Sequence, residues 1–274
     1  MAATTLPAPF AVAAPRRSLS RTIALYAKEA KYEFLGRTRI PVYAFSTVFF
    51  PQMFYVLFGV VLGHGNPVNR GETATYMLAT MGCFGVMAAA LFGFGVSLAM
   101  ERGQGWLQVK RASPMPIAAY LLAKLFSAVV FSTVIMLLML GIGLLFGGVH
   151  LPMVTAAKLI GILVAGAIPF GAMGLAIGYF AKPNSAPAIV NLIYLPMSFF
   201  SGLWIPLYLL PHGLRTLANV LPAYHLSQLA LNIVGLAPNP TPSWGHVQAL
   251  IAFTLICLGF AVWGYRKDEG ETYG

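Results

Sequence analysis

Residues 75–100 read TYMLATMGCFGVMAAALFGFGVSLAM, with no charge until Glu101. A helix rises 1.5 Å per residue, so this stretch exceeds the roughly 20 residues needed to cross a hydrocarbon core of about 30 Å. Its continuity points to a helix; barrel strands are shorter and alternate. Five more runs flank it, at about Val42 to Leu62, Ile117 to Phe146, Ala157 to Phe180, Ala188 to Leu207 and Val247 to Tyr265. The expected fold is an all-α polytopic membrane protein with six transmembrane helices. Composition agrees. Of the 274 residues, 58% are hydrophobic and only 9% charged, against roughly 25% charged in an ordinary soluble domain. Such a chain has too little polar surface to stay dispersed in water. A soluble enzyme, a nucleic-acid-binding module and a disordered chain are therefore excluded.

The bases orient the spans. Lys and Arg number 17 against 7 Asp and Glu. Arg16, Arg17, Arg21, Lys28, Lys31, Arg37 and Arg39 precede the first span. Arg102, Lys110 and Arg111 follow the second, Lys182 the fourth, and Arg266 and Lys267 the sixth. The opposite side carries only Arg70, Lys158 and Arg215. The positive-inside rule then places both termini in the cytoplasm. The domains expected are a mobile cytoplasmic tail (1–17), an interfacial helix (18–41), the six-span domain (42–265) and a cytoplasmic tail (266–274). The tail Met1 to Pro15 lacks the charged start of a secretory signal.

Leu19, Ile23, Tyr26, Ala30 and Phe34 fall on one helical face, with Arg21, Lys28, Lys31 and Arg37 largely off it. A basic amphipathic helix beside a span suits the inner lipid interface. Lys124 is the one charge within a run. Snorkelling of its stem to the interface is the expectation, and pairing with Glu101 or an anionic headgroup is the alternative. Cys83 and Cys257, each inside an apolar run, read as packing residues. So do Gly59-x-x-x-Gly63 and Gly174-x-x-x-Gly178, by close helix approach within the subunit. The five histidines (His64, His150, His212, His225, His246) all fall on the outer side with no metal-site spacing. No metal site is expected. The aromatic faces of spans one and five (Phe49, Phe50, Phe54, Tyr55, Tyr194, Phe199, Phe200) fit either an apolar path or ordinary packing. Ser97, in Gly95-Val96-Ser97, has no histidine at membrane depth to activate it, so no catalytic residue is expected.

Glu101-Arg102-Gly103-Gln104-Gly105-Trp106-Leu107-Gln108-Val109-Lys110-Arg111-Ala112-Ser113-Pro114 is the densest polar stretch after the N-terminus. Read from its residues alone, it fits a solvated connector as well as a docking surface. The run resembles the inner loop of the ABC type-2 permeases, which reads acidic-Arg-x-x-Gly-x-Leu and then Pro; Glu101, Arg102, Gly105, Leu107 and Pro114 match in order. Trp106 stands where that family has a small polar residue. A second stretch, with Ser201-Gly202, Pro206, Leu210-Pro211, Leu221-Pro222 and Tyr224, is similar to the re-entrant segment that caps the exit path in that family.

The resemblance implies a coupling helix docked on a separate ATPase. Glu101 and Arg102 would anchor it, Leu107 and Val109 would offer apolar contacts, and Lys110 and Arg111 would meet the ATPase. It further implies two ATPase copies binding ATP and Mg, a second permease subunit (identical or related), surrounding membrane lipid, and a place in a prokaryotic cytoplasmic membrane. The chain itself has no Gly-Lys pair, so it lacks a phosphate-binding loop. No carboxylate lies mid-span, which argues against ion coupling. The expected function is outward movement of an amphiphilic drug-like molecule or lipid, with no cofactor in this chain and no nucleic-acid partner. The alternative is a polysaccharide or lipid-linked glycan exporter subunit of the same family, and less favoured an ion-coupled secondary transporter.

Overall fold

The computed structural model describes residues 19–65, 70–112, 115–237 and 242–273, and among these there is no strand. The tail 1–17 and Pro114 lie outside the described residues. Helix α1 spans Leu19–Thr38. Helix α2 starts at Pro41, where a missing N–H costs nothing, and continues from Pro41–Phe54 into a π-helical stretch, Tyr55–Val61. Helix α3 is Arg70–Gly103, the short α4 is Trp106–Ala112, and α5 is Ile117–Gly147. Helix α6, Met153–Phe180, breaks at Gly166; Pro169 has no N–H to continue the ladder there. Then come α7 (Ala186–Phe200), α8 (His212–Ala218), α9 (Pro222–Val234) and α10 (Ser243–Tyr273).

Among the described residues, five helices are long and apolar enough to cross a membrane. The run expected from Ala188 to Leu207 is not one helix. It stops at Phe200 after 15 residues. Gly202 takes the left-handed conformation (φ 77°), and the Leu203 N–H reaches back to the Ser198 carbonyl at 3.2 Å. This is a glycine C-cap, which satisfies the last carbonyls and turns the chain aside.

Helix α3 is the hub. It packs against α2, α5, α6, α7 and α9, and nearly every residue from Met77 to Leu91 is buried. Lipid gives two apolar helices no hydrophobic reason to associate, so close van der Waals fit must do so. Small residues supply it: Ala79, Gly82, Cys83, Gly85, Ala88, Ala89 and Ala90. A Cβ at Gly82 would sit 2.6 Å from the Met136 sulfur. Cys83 and Cys257 are buried free thiols, and the Cys83 thiol donates to the Ala223 carbonyl at 3.7 Å. Gly174 and Gly178 of α6 lie against α3, where a Cβ on Gly178 would meet Leu98 Cβ at 2.9 Å and the Gly95 carbonyl at 3.0 Å. Leu137, Leu138, Leu144, Leu145 and Phe146 on α5, and Ile251, Leu255, Ile256 and Phe260 on α10, are exposed. Such an apolar band is what a lipid-facing surface requires.

Gly178→Val is expected to lower stability by about 1–3 kcal/mol through overpacking. Gly141→Val, where nothing lies within 4 Å, is expected to change little. Thermal unfolding of both variants in detergent checks the contrast.

Candidate functional site

The polar stretch after α3 is a turn and a short helix. Gly105 is left-handed (φ 77°), a conformation cheap only for glycine, and it turns the chain from α3 into α4. The two faces of α4 differ. Leu107 is buried in the core, whereas Trp106 and Val109 are 56% and 60% exposed. The expected apolar contacts are thus divided: Val109 is open to a partner, while Leu107 anchors α4 to its own chain. Lys110, expected to face a partner, turns inward instead. Its ammonium is 2.9 Å from Glu29 and 4.0 Å from Glu101, and lies over the Tyr120 ring. Near-neighbour carboxylates outcompete water for it. Arg102 donates to the carbonyls of Tyr179 and Ala181 at the end of α6 and lies 3.8 Å from Asp268 on α10. The side chain of Arg111 lies outside the described residues.

Beneath this loop is a buried ion cluster. Lys124 is fully buried, which overturns the snorkelling expectation in favour of the alternative pair with Glu101. Its ammonium lies 2.6 Å from Glu101, 3.1 Å from Glu33 and 2.7 Å from the Ser97 hydroxyl. The Tyr120 hydroxyl donates to Glu101 at 2.8 Å. Arg37 binds Glu33 at 2.8 Å and donates to the Gly93 carbonyl at 2.7 Å. Gly93 sits in a π-helical turn of α3, Phe92–Val96, where the usual ladder is disturbed. Burial alone would raise the Glu33 carboxyl. Lys124 and Arg37 outweigh it and hold the group at about 2, below the ordinary 4.5. Glu29, Glu33 and Glu101 thus face Arg37, Lys110 and Lys124, equal numbers of each sign.

Helix α1 packs along α5, and its inward face differs from the expected stripe. Tyr26, Ala30 and Phe34 are half-buried there, with Phe34 against Phe131 at 5.7 Å. Ile23 is exposed, and Arg37, expected off the stripe, is buried. The side chain of Leu19 lies outside the described residues. The Glu29–Lys110 and Glu33–Lys124 ion pairs and the hydrogen bond from Arg37 to the Gly93 carbonyl place Glu29, Glu33 and Arg37 on the inward face.

A second feature is a cavity of about 590 Å³ lined by Thr47, Phe50, Phe54, Phe84, Phe92, Asn191, Tyr194 and Trp204 among others. Its aromatic rings pack on one another. Phe84 stacks on Tyr194 at 4.7 Å, and Trp204 lies 4.6 Å from Phe54. The Tyr194 hydroxyl donates to the Phe84 carbonyl at 3.0 Å. Three of the seven aromatic candidates, Phe50, Phe54 and Tyr194, line this space. Tyr55 does not; it is wholly buried against Gly143 and Gly147. Phe199 does not either; it packs on Phe200. Phe84, Phe92 and Trp204 were not foreseen. Trp204 gets there because the Gly202 turn folds the chain back.

At the opposite end from α4, Ser201 is buried, Pro206 and Pro211 precede short helical turns, and Pro222 starts α9. Helix α9 is held between α3, α6 and α10. Tyr224 contacts His225 and His246. The two imidazoles meet Nδ1 to Nδ1 at 2.8 Å, a proximity that sequence spacing did not announce. Among the described residues, no group of three potential metal ligands forms.

The family model described as ABC-2 type transporter matches residues 29–235. A Bacillus subtilis (strain 168) protein named "Putative transport permease YvfS" is 28% identical over 223 residues, covering 80% of this chain and 88% of that protein.

Two outcomes follow from the ion cluster. Lys124→Ala leaves two carboxylates without their shared cation and is expected to cost about 3–5 kcal/mol, read as a lower thermal midpoint in detergent. Glu33 is held below its ordinary value, so its contribution is present above pH 4.5 and lost as pH falls towards about 2. Melting across that window should fall more steeply for the wild type than for Glu33→Gln.

Proposed function

The chain belongs to the ABC-2 type transporter family of membrane permeases, and from that premise we propose that it is the transmembrane subunit of an exporter driven by a separate ATPase through residues 101–116. It is a multi-pass membrane protein and a transport subunit. The observation that carries the proposal is the division of labour on α4. One face, with Leu107 and Lys110, is fastened to the core and to α1. The other presents Trp106 and Val109 outward, where an apolar groove of a partner would receive them. A solvated connector would need neither the anchor nor the exposed apolar pair.

In this reading both termini are cytoplasmic and the membrane is a prokaryotic cytoplasmic membrane. The 15-residue α7 serves as the sixth crossing element, completed by the turn at Gly202. The partner ATPase contributes the work of nucleotide binding. Displacement of α4 then moves the inner ends of α3 and α5, because Glu101 and Lys124 join them. That biases a membrane element with two arrangements. A second permease subunit, identical or related, pairs with this one, and two ATPase copies dock below.

The cargo reading follows from the cavity. Its walls are aromatic and carry no charged side chain, with Ser46, Thr47 and Asn191 as the polar contacts. That suits an amphiphilic molecule, drug-like or lipid, better than a bare ion or a strongly hydrated chain. Residues Ser201, Gly202, Pro206, Pro211, Pro222 and Tyr224 would form the outer gate above it.

Co-purification with a partner ABC ATPase tests the docking surface. Val109→Asp is expected to weaken ATPase binding at least tenfold, by placing a charge in an apolar contact, without changing the melting of the permease. Gly105→Ala forces a side chain into the left-handed region at about 1–2 kcal/mol and should lower ATPase binding as well. Unchanged binding in both variants would remove α4 as the docking element. For the cavity, Phe54→Ala together with Trp204→Ala should reduce efflux of an amphiphilic dye from cells several-fold while ATPase binding persists.

A further inference from the structure

Helix α1 is usually the kind of element that merely rests on lipid. Here its inward face carries Glu29, Glu33 and Arg37, and each makes a specific bond to a different part of the mechanism. Glu29 holds Lys110 of α4 at 2.9 Å. Glu33 holds Lys124 of α5 at 3.1 Å. Arg37 holds the Gly93 carbonyl in the π-helical turn of α3 at 2.7 Å. That same carbonyl also accepts from the Ser97 hydroxyl at 2.6 Å.

Lys124 is where these lines meet. Its ammonium has no access to water, and its two carboxylate partners come from different elements, Glu33 from α1 and Glu101 from the end of α3. Withdrawing either carboxylate strands charge in a low-dielectric site, and such losses are far more costly than breaking a surface pair. Rigid-body motion of α1, α3 and α5 avoids that cost, and Lys110 ties α4 to the same group through Glu29 and Glu101.

We propose that α1 is a working part of the lever, with Lys124 as a positioning residue that binds α1, α4 and the inner ends of α3 and α5 into one body. The push on α4 is carried into the bundle through α1 as well as through the α3–α4 turn. This rests on the ATPase-driven reading above. It adds what that reading leaves open, namely which helices move together.

Paired spin labels on the permease–ATPase complex test it. Both native cysteines are buried, so labels go to exposed sites. Lys31→Cys on α1 with Gln108→Cys on α4 reads the joint. Gln108→Cys with Thr216→Cys on α8 reads the stroke. Distances are measured nucleotide-free and with ATP and vanadate trapped. In the wild-type background the joint distance should stay within its resting distribution while the stroke distance shifts. In Lys124→Met the joint distribution should broaden or move on trapping, and the stroke shift should shrink, with ATP hydrolysis continuing.

If the joint distance changes together with the stroke in the wild type, or if Lys124→Met matches the wild type at both pairs, the proposal is wrong. The wild-type measurement alone decides the first point should Lys124→Met fail to fold. Glu33→Gln, which keeps the shape and removes the charge, is the second variant and should loosen the joint in the same direction. Absence of any ATPase in the complex would overturn both this inference and the reading beneath it. A stroke that occurs with a loose joint overturns this inference alone.

Discussion

A buried ammonium must have a counter-charge, and in this protein that requirement decides how the inner end of the bundle is assembled. Lys124 lies in an otherwise apolar span. It draws Glu101 to it from the end of α3 and Glu33 from α1, and these in turn fix Arg37, Tyr120 and, through Glu101, Lys110. Replacing the group by apolar side chains of equal volume would often be neutral or stabilising in a static protein. Keeping ions here suits a junction whose parts must hold a defined register while the assembly moves. The same cluster explains why α1 lies along α5 with its charged residues facing inward, which an amphipathic helix lying on lipid would not do.

Above this junction the protein relies on closeness rather than charge. The run of small residues through α3 lets five helices approach it, and its glycines meet neighbouring side chains at distances that leave no room for a Cβ. Phe84, Ala88 and Phe92 of α3 also form one wall of the aromatic cavity between α2, α3 and α7. The Gly202 turn completes the cavity by returning Trp204 over it.

Most of the fold is legible in the sequence because lipid imposes a simple rule: long uncharged runs must be helices. That rule gives α2, α3, α5 and α6 to within about five residues, whereas α10 runs on to Tyr273, past the expected end at Tyr265. It errs at α7, where hydropathy continues to Leu207 but the helix ends at Phe200, because a glycine C-cap is a backbone event that hydropathy does not register. The loop 101–114 is visible through its residues and its resemblance. Which way each side chain of α4 points is not, since Leu107 and Val109 look alike in sequence and only tertiary packing separates them. The ion cluster was half visible. Lys124 and Glu101 stand out as charges next to apolar runs. The spacing Glu29, Glu33, Arg37 is itself one helical face, four residues apart each time, and read beside Lys124 it would have pointed to the pairing. The His225–His246 contact joins elements distant in sequence and left no local trace.

The central claim is that this chain moves cargo only when a nucleotide-consuming partner works on it. The most direct measurement is flux of an amphiphilic dye in proteoliposomes containing the purified chain, with and without the partner ATPase and Mg-ATP, and with an imposed proton or sodium gradient. The account predicts flux only when ATPase and ATP are both present, with the gradient making no difference. Gradient-driven flux by the chain alone would contradict it.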